Sequence, residues 1–579
     1  MKKINKILCL LIALIFSFSL VCCNNELPED VQSKFDNFLE DTFVESVTSD
    51  TLTLHYKLKD ASKYGIKDTN PTLGSFSIKE MENENKDLEK SIKSLKDFKY
   101  DSLTKDQQTT YDILKSYLET ELKGEDFTYY HTIFSPTTGL QANLPITLAE
   151  YKFYNKNDIN DYLGLCKDID RYFKDILTYE EEKSKKGLFM ADFAVDDIVA
   201  QCEAFIAAPE NNYLITTFNN KVDALTDLNA EEKNNLKNDN KKIILESVIP
   251  AYKNLIDSLN KLKGTGTNTG GLCNFPKGKK YYEYLVESTT GSDKSIKKIK
   301  NELINRLTVL FKDMGAIIKK SPDSVEALNK NNYETNNPNE ILDKLKNRIK
   351  SFYPEPPSTT YEVRYVDKSL EEHLSPALYL IPPIDDYKSN IVYINNSQVD
   401  NDRLFPTLAH EGYPGHLYQT TYFNSTNPNP IRNVLSFGGY TEGWATYAEI
   451  QSYELANFNN DSLTKLSQIY AEITLAIPTL IDIGVNYEGW DLDATKSYIT
   501  NFGYDSSIAE NIYNSVIEDP ANYLQYYVGY LQFVELRDKA KDKLGKDFDL
   551  KKFNKVILDV GPAPFSVLED KVNKYIKGM

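Results

Sequence analysis

A chain of 579 residues is longer than one hydrophobic core ordinarily organises, so it predicts at least two bodies. Its 41% hydrophobic and 26% charged residues are a globular balance, which excludes a disordered or fibrous chain. The formal net charge of −18 excludes nucleic acid as the expected partner, because a phosphate backbone is held by clustered Lys and Arg.

The first residues, MKKINKILCLLIALIFSFSLVCC, place lysines before an uninterrupted apolar run. That is the layout of a secretory signal, and residues 1–23 are assigned to a lipoprotein signal peptide. Leu20-Val21-Cys22-Cys23 resembles the bacterial lipobox, with leucine three positions before the modified cysteine. Lipidation is therefore expected at Cys23, with Cys22 as the alternative, and the mature protein is expected outside the cytoplasm, lipid-anchored to the bacterial cell membrane. Beyond the signal no stretch approaches the roughly 18 uninterrupted apolar residues of a spanning helix. Cys166, Cys202 and Cys273 are too few and too scattered for a disulfide framework and read as core thiols.

Helical spacing dominates the first half. Thr104 and Gln107 form a capping-box signature ahead of Tyr111, Leu114, Leu118 and Leu122, with Gly124 as the stop. Ile159 to Ile176 and Ile296 to Leu310 repeat the same periodicity. Between them KGTGTNTGGL, residues 263 to 272, predicts a flexible connection, so the expected bodies are 24–265 and 266–579. It lacks the Gly-Lys-Ser/Thr ending of a phosphate-binding loop. After a proline cluster, Tyr361–Val366 and Ser389–Asn395 predict two short strands, giving a mainly α protein with a small sheet.

TLAHEGYPGHLYQ, residues 407 to 419, follows at once. A helix over Arg403–Ala409, with Asp402 as N-cap and Pro406 in the first turn, would carry His410 and Glu411. His416 lies six residues beyond His410, which a regular helix rotates by about 240° and aims away. Gly412, Pro414 and Gly415 do not belong inside a regular helix. A bulge or kink there is expected to bring the two imidazoles back together as metal ligands. A catalytic zinc takes three protein ligands and keeps one open position. Downstream, Glu442, Thr446 and Glu449 share one helical face, so both glutamates are candidates, Glu442 as ligand and Glu449 as a partner to a ligating histidine. Gly438-Gly439 permits the turn that would pack this second helix antiparallel on the first.

These residues resemble the bacterial family called domain of unknown function 885, grouped with the gluzincin metallopeptidases. His410, Glu411, Pro414, Gly415, His416 and Gln419 match its pattern, as do Glu442, Gly443, Trp444 and Ala445. Pro276–Tyr282, Tyr526–Gly529 and Leu536-Arg537 extend the match over most of the chain. The resemblance implies a helical fold with Zn2+ on His410, His416 and Glu442. On this reading Glu411 is the general base and Tyr526 the oxyanion donor. Arg537 would bind a substrate carboxylate, and Gln419 would support a ligand or contact the substrate. The expected activity is hydrolysis of short peptides, as a carboxypeptidase or oligopeptidase. A lipoprotein that binds peptides or a partner without catalysis is the alternative. His55, His131 and His373 are assigned structural roles, with His373 the candidate exception.

Overall fold

The computed structural model describes residues 27–578, apart from residues 68–69, 329, 331–332, 367, 369–370 and 372–374. The signal peptide, Cys23 and His373 lie outside these described residues. The protein is mainly α. The capping box forms as read, with Thr104 and Gln107 exchanging side-chain and backbone hydrogen bonds at the start of helix Lys105–Leu122. Ile159, Cys166, Ile169, Phe173 and Ile176 line the buried face of the long helix Lys156–Lys185. Ile296, Ile299, Leu303, Leu307 and Leu310 do the same for Ile296–Lys320.

The helices enclose separate apolar cores. One gathers side chains from about the first half of the chain, around Tyr162, Phe173, Phe218 and Tyr252. Another gathers the second half, around Leu408, Trp444, Tyr447 and Phe533. A smaller one joins the helices Pro28–Val47 and Lys105–Leu122 through Phe35, Phe43 and Leu114.

A three-stranded sheet is the wall between the two larger cores. Its strands β1 (Thr360–Tyr365), β2 (Ala377–Leu380) and β3 (Ser389–Ile394) lie in the order β1-β3-β2, with β1 parallel and β2 antiparallel to β3. Successive side chains of a strand point to opposite faces. Val392 and Ile394 of β3 accordingly enter the second-half core, while Ile391 and Tyr393 enter the first-half core. β1 falls where the period-two pattern places it, shifted by one residue, and β3 lies where the second strand is expected, ending one residue earlier. β2 was not anticipated, because ALYL is short and carries no polar residue to betray an alternation.

The connection at 263–272 is hydrogen-bonded to its surroundings. Ser184 Oγ donates to Thr265 Oγ1 at 2.8 Å, the buried Asn268 donates from Nδ2 to the Gly271 carbonyl at 3.0 Å, and the Leu272 amide donates to Asn486 Oδ1 at 3.0 Å. Its small residues serve a tight course over both bodies. Helix Asp461–Ile483, with its continuation to Glu488, is long and apolar enough to cross a membrane, yet 83% of its apolar window is buried inside the protein. It is a core helix.

Candidate metal centre

The site is built on three helices. The first, Asn401–Glu411, begins after Asp400, so the N-cap expected at Asp402 is two residues late, and Pro406 falls inside the helix instead of in its first turn. The chain then breaks. It does not run on as one kinked helix: Tyr413-Pro414 is a cis peptide, and a second helix, His416–Ser425, starts at the histidine itself. The Gly415 amide donates back to the Ala409 carbonyl at 2.9 Å, folding the loop against the last turn it has left. A Cβ at Gly415 would lie 1.8 Å from the His410 carbonyl oxygen, so only glycine allows this approach. The outcome is that six residues of separation become neighbours: the two imidazole centroids are 4.8 Å apart with their planes at 83°.

The third helix, Gly438–Leu455, supplies carboxylates. Glu442 Oε2 lies 3.6 Å from His410 Nε2 and 3.4 Å from His416 Nε2. Ligands about 2.0–2.1 Å from a tetrahedral zinc stand about 3.3 Å from one another, so the donor types and the two oxygen-to-nitrogen spacings are compatible with the ion. Seven residues further along the same face, Glu449 Oε2 is 3.2 Å from His410 Nδ1. His410 is thus held at both nitrogens. The pairings also show the two helices antiparallel, as the sequence suggested.

Glu411 also brings a carboxylate oxygen within 4.8 Å of both imidazole donors. Its Oε2 accepts the Tyr379 amide of β2 at 2.8 Å. Among the described residues Glu442 has one oxygen near 3.5 Å from both Nε2 atoms, while Glu411 is tied to the sheet beside them. Tyr379 faces Val392 in the register, and its amide points away from β3. Such a pair leaves backbone groups on the outer edge of the strand, so Ala377 and Tyr379 present theirs on the side of Glu411.

Tyr526 comes from the helix Asn522–Leu544, which crosses the Glu442 helix at backbone contact. A Cβ on Gly443 would lie 2.5 Å from the Gly529 carbonyl carbon, so glycine on both helices allows them to close. Tyr526, three residues before Gly529, then stacks over His410 with centroids 6.3 Å apart. Trp444 fixes the other side. It is fully buried against Tyr353 and Phe533, and its Nε1 donates to the Pro414 carbonyl at 2.9 Å, so the Glu442 helix holds the break in place.

The electrostatics follow from burial and proximity. Burial opposes the charged form of His410, but hydrogen bonds to Glu442 and Glu449 and the charge of Glu411 outweigh it and raise its pKa well above 6.5. Glu442 shows the converse: burial pushes up, and His416 and His410 pull it far below an ordinary glutamate. Glu411 is raised, because burial exceeds the opposing pull of His416, His410 and the Tyr379 amide. Burial and the nearby Glu442 and Glu411 charges raise Tyr526, which keeps its phenol proton.

Arg537 is not brought to this cluster. It lies eleven residues past Tyr526 on one helix, about 16 Å at 1.5 Å per residue, with its guanidinium on Asp538 and over the Tyr447 ring. Gln419 is buried one turn beyond His416. His55 stacks on Tyr151 at 3.6 Å in the first-half body, and the backbone carbonyl of His131 accepts from Lys183 there. Sequence reasoning missed the Tyr379 anchor and Arg403, whose guanidinium lies 3.4 Å from Glu449 Oε1. Arg403 precedes His410 by seven residues, a helical same-face spacing that could have flagged it.

A family profile described as "Bacterial protein of unknown function (DUF885)" matches residues 59–572. No curated protein matches the chain. Among solved structures, a "putative lipoprotein" from Colwellia psychrerythraea superposes with a TM-score of 0.83 at 18% identity, covering 95% of this chain and 100% of that one. A "putative lipoprotein of unknown function" from Shewanella oneidensis superposes with a TM-score of 0.64 at 17% identity, covering 93% and 98%. These likenesses establish the fold.

Proposed function

Because the chain belongs to the DUF885 family of bacterial proteins, to which no activity is attached, the site itself must carry the functional reading, and we propose that it is a zinc-dependent peptidase. The observation that carries this reading is the convergence of His410 Nε2 and His416 Nε2 on one Glu442 oxygen, with a separate carboxylate, Glu411, beside them. A purely structural site needs no such free carboxylate. His410, His416 and Glu442 would hold zinc, which supplies Lewis acidity, lowering the pKa of a water toward about 7 and polarising a carbonyl.

The remaining roles belong to the chain's own residues. Glu411 takes the proton of the attacking water and returns it to the leaving amine. Its pKa, raised by burial, brings it closer to the operating pH of a proton carrier. The Tyr379 amide orients it by holding Oε2. Tyr526 retains its proton and donates a hydrogen bond to the oxyanion that forms at the scissile carbon. Glu449 holds His410 from the far side. Short peptides, cleaved by carboxypeptidase or oligopeptidase action, are the substrate class. We further assign lipidation to Cys23, which would tether the protein outside the cytoplasm, in keeping with the names of its two structural neighbours.

Elemental mass spectrometry on the wild type and His416→Ala, paired with cleavage of a peptide library by wild type and Glu411→Gln, tests this. One zinc per chain, lost in His416→Ala, and peptide cleavage reduced at least a hundredfold in Glu411→Gln with zinc retained are the expected results, since proton transfer contributes about 10²–10⁴-fold. A wild type that takes up no zinc, or a Glu411→Gln variant of full activity, overturns the reading.

A further inference from the structure

Three carboxylates surround His410 and His416: Glu411, Glu442 and Glu449. Among the described residues, Arg403 is the one Lys or Arg in an ion pair with any of them. Its placement follows from periodicity. Arg403 and His410 are seven residues apart on one helix, and Glu442 and Glu449 are seven apart on the next, so each pair shares a face across two turns. The helices are antiparallel, which threads the four groups alternately: Arg403, Glu449, His410, Glu442. The contacts run 3.4 Å from Arg403 to Glu449 Oε1, 3.2 Å from Glu449 Oε2 to His410 Nδ1, and 3.6 Å from His410 Nε2 to Glu442 Oε2. Each oxygen of Glu449 therefore has its own cationic or hydrogen-bonding partner, and the carboxylate cannot rotate without losing one.

We propose that Arg403 is a positioning residue, clamping Glu449 so that Glu449 aims the His410 imidazole at the point shared with His416 and Glu442. Without the guanidinium, Glu449 would keep a negative charge close to those of Glu442 and Glu411 and would turn toward water. The Arg403 side chain is 47% exposed and Glu449 16%, so the pair runs from solvent to the buried imidazole.

The sign of the effect separates aim from charge. Arg403 is a cation near a site proposed for a dication, so if it acted through its charge alone, removing it would tighten zinc binding. If it acts by aiming His410, removing it weakens binding. The measurement is the zinc(II) affinity of the full chain, by competition with a chromogenic chelator. Arg403→Ala is expected to bind zinc about tenfold more weakly, at the low end for groups that orient a ligand, with Arg403→Lys between it and wild type. In a Glu449→Gln background the Arg403→Ala change is expected to add nothing. An affinity that is unchanged or tighter in Arg403→Ala, or an equal loss in the Glu449→Gln background, overturns the proposal.

The inference rests on the peptidase reading only for that arm. In metal-free protein labelled with nitrogen-15 histidine, the Nδ1–H of His410, assigned by its absence in His410→Gln, is expected to be protected from solvent exchange by Glu449 and to lose that protection in Arg403→Ala. Equal protection in both overturns the clamp. A wild type that binds no zinc but shows this loss would sink the peptidase reading and leave the clamp standing.

Discussion

His55 and His410 are put to opposite electrostatic use by their neighbours. His410 sits among carboxylates, which overcome burial and favour its charged form. His55 is buried on the Tyr151 ring, and burial with Lys221 and Lys152 lowers its pKa to about 3, despite Asp158 3.7 Å from Nδ1. A depressed folded pKa means that His55 folds neutral. Its contribution to stability is present above the unfolded value near 6.5 and is lost as pH falls from there toward 3, by at most about 1.4 kcal/mol per pH unit. His55→Phe, which keeps an aromatic ring on Tyr151, is expected to show a shallower fall of Tm between pH 6.5 and 4 than wild type. Equal slopes would refute that account. At this scale the cluster was legible where its carboxylates lie on one regular helix: the shared face of Glu442 and Glu449 follows from their spacing. Tyr379 was not, since its part is played by a backbone amide whose direction depends on strand register, and no side chain advertises it.

Among the elements, the break at 412–415 decides whether the histidines meet. Proline and glycines announced that the helix must fail there, but not how. The expectation was a single distorted helix, and the chain instead ends one helix and starts another at His416. What sets the outcome is tertiary: the Trp444 indole on the Pro414 carbonyl, contributed by an element thirty residues away. Trp444→Phe keeps most of the packing but leaves that buried carbonyl without its donor, at about 1–3 kcal/mol. It is expected to lower Tm and to weaken zinc retention against a chelator together. Gly415→Ala places a methyl group against the His410 carbonyl and is expected to abolish zinc uptake while circular dichroism shows helix content unchanged. Zinc uptake at the wild-type level in Gly415→Ala would show that the loop can close by another route.

For the whole molecule, composition and periodicity made the mainly α class readable, and length made more than one core readable. The sharing of the sheet was not, because a strand whose two faces feed two apolar cores has no polar side and loses its alternation: β3 reads simply as apolar from Ile391 to Ile394. The consequence is cooperative. Ile391 packs in the first-half core while its neighbours Val392 and Ile394 pack in the second, so neither core can open without exposing the strand that completes the other. Ile391→Ala, at about 2–5 kcal/mol, is expected to shift one calorimetric transition of the entire protein to lower temperature. Two resolved transitions, of which only one moves, would show that the bodies melt independently.

The tie between Glu411 and β2 gives this shared wall a mechanical meaning. The three groups proposed to hold the metal ride on helices of the second body, whereas the aim of the neighbouring carboxylate is referred to a strand whose partner, β3, is gripped by both bodies. Flexing one body against the other would therefore be felt first at the proton carrier and only afterwards at the ligands. On the proposed reading, a protein bent in this way would keep its ion and stop turning over, the sheet tying the relative position of the two bodies to the chemistry.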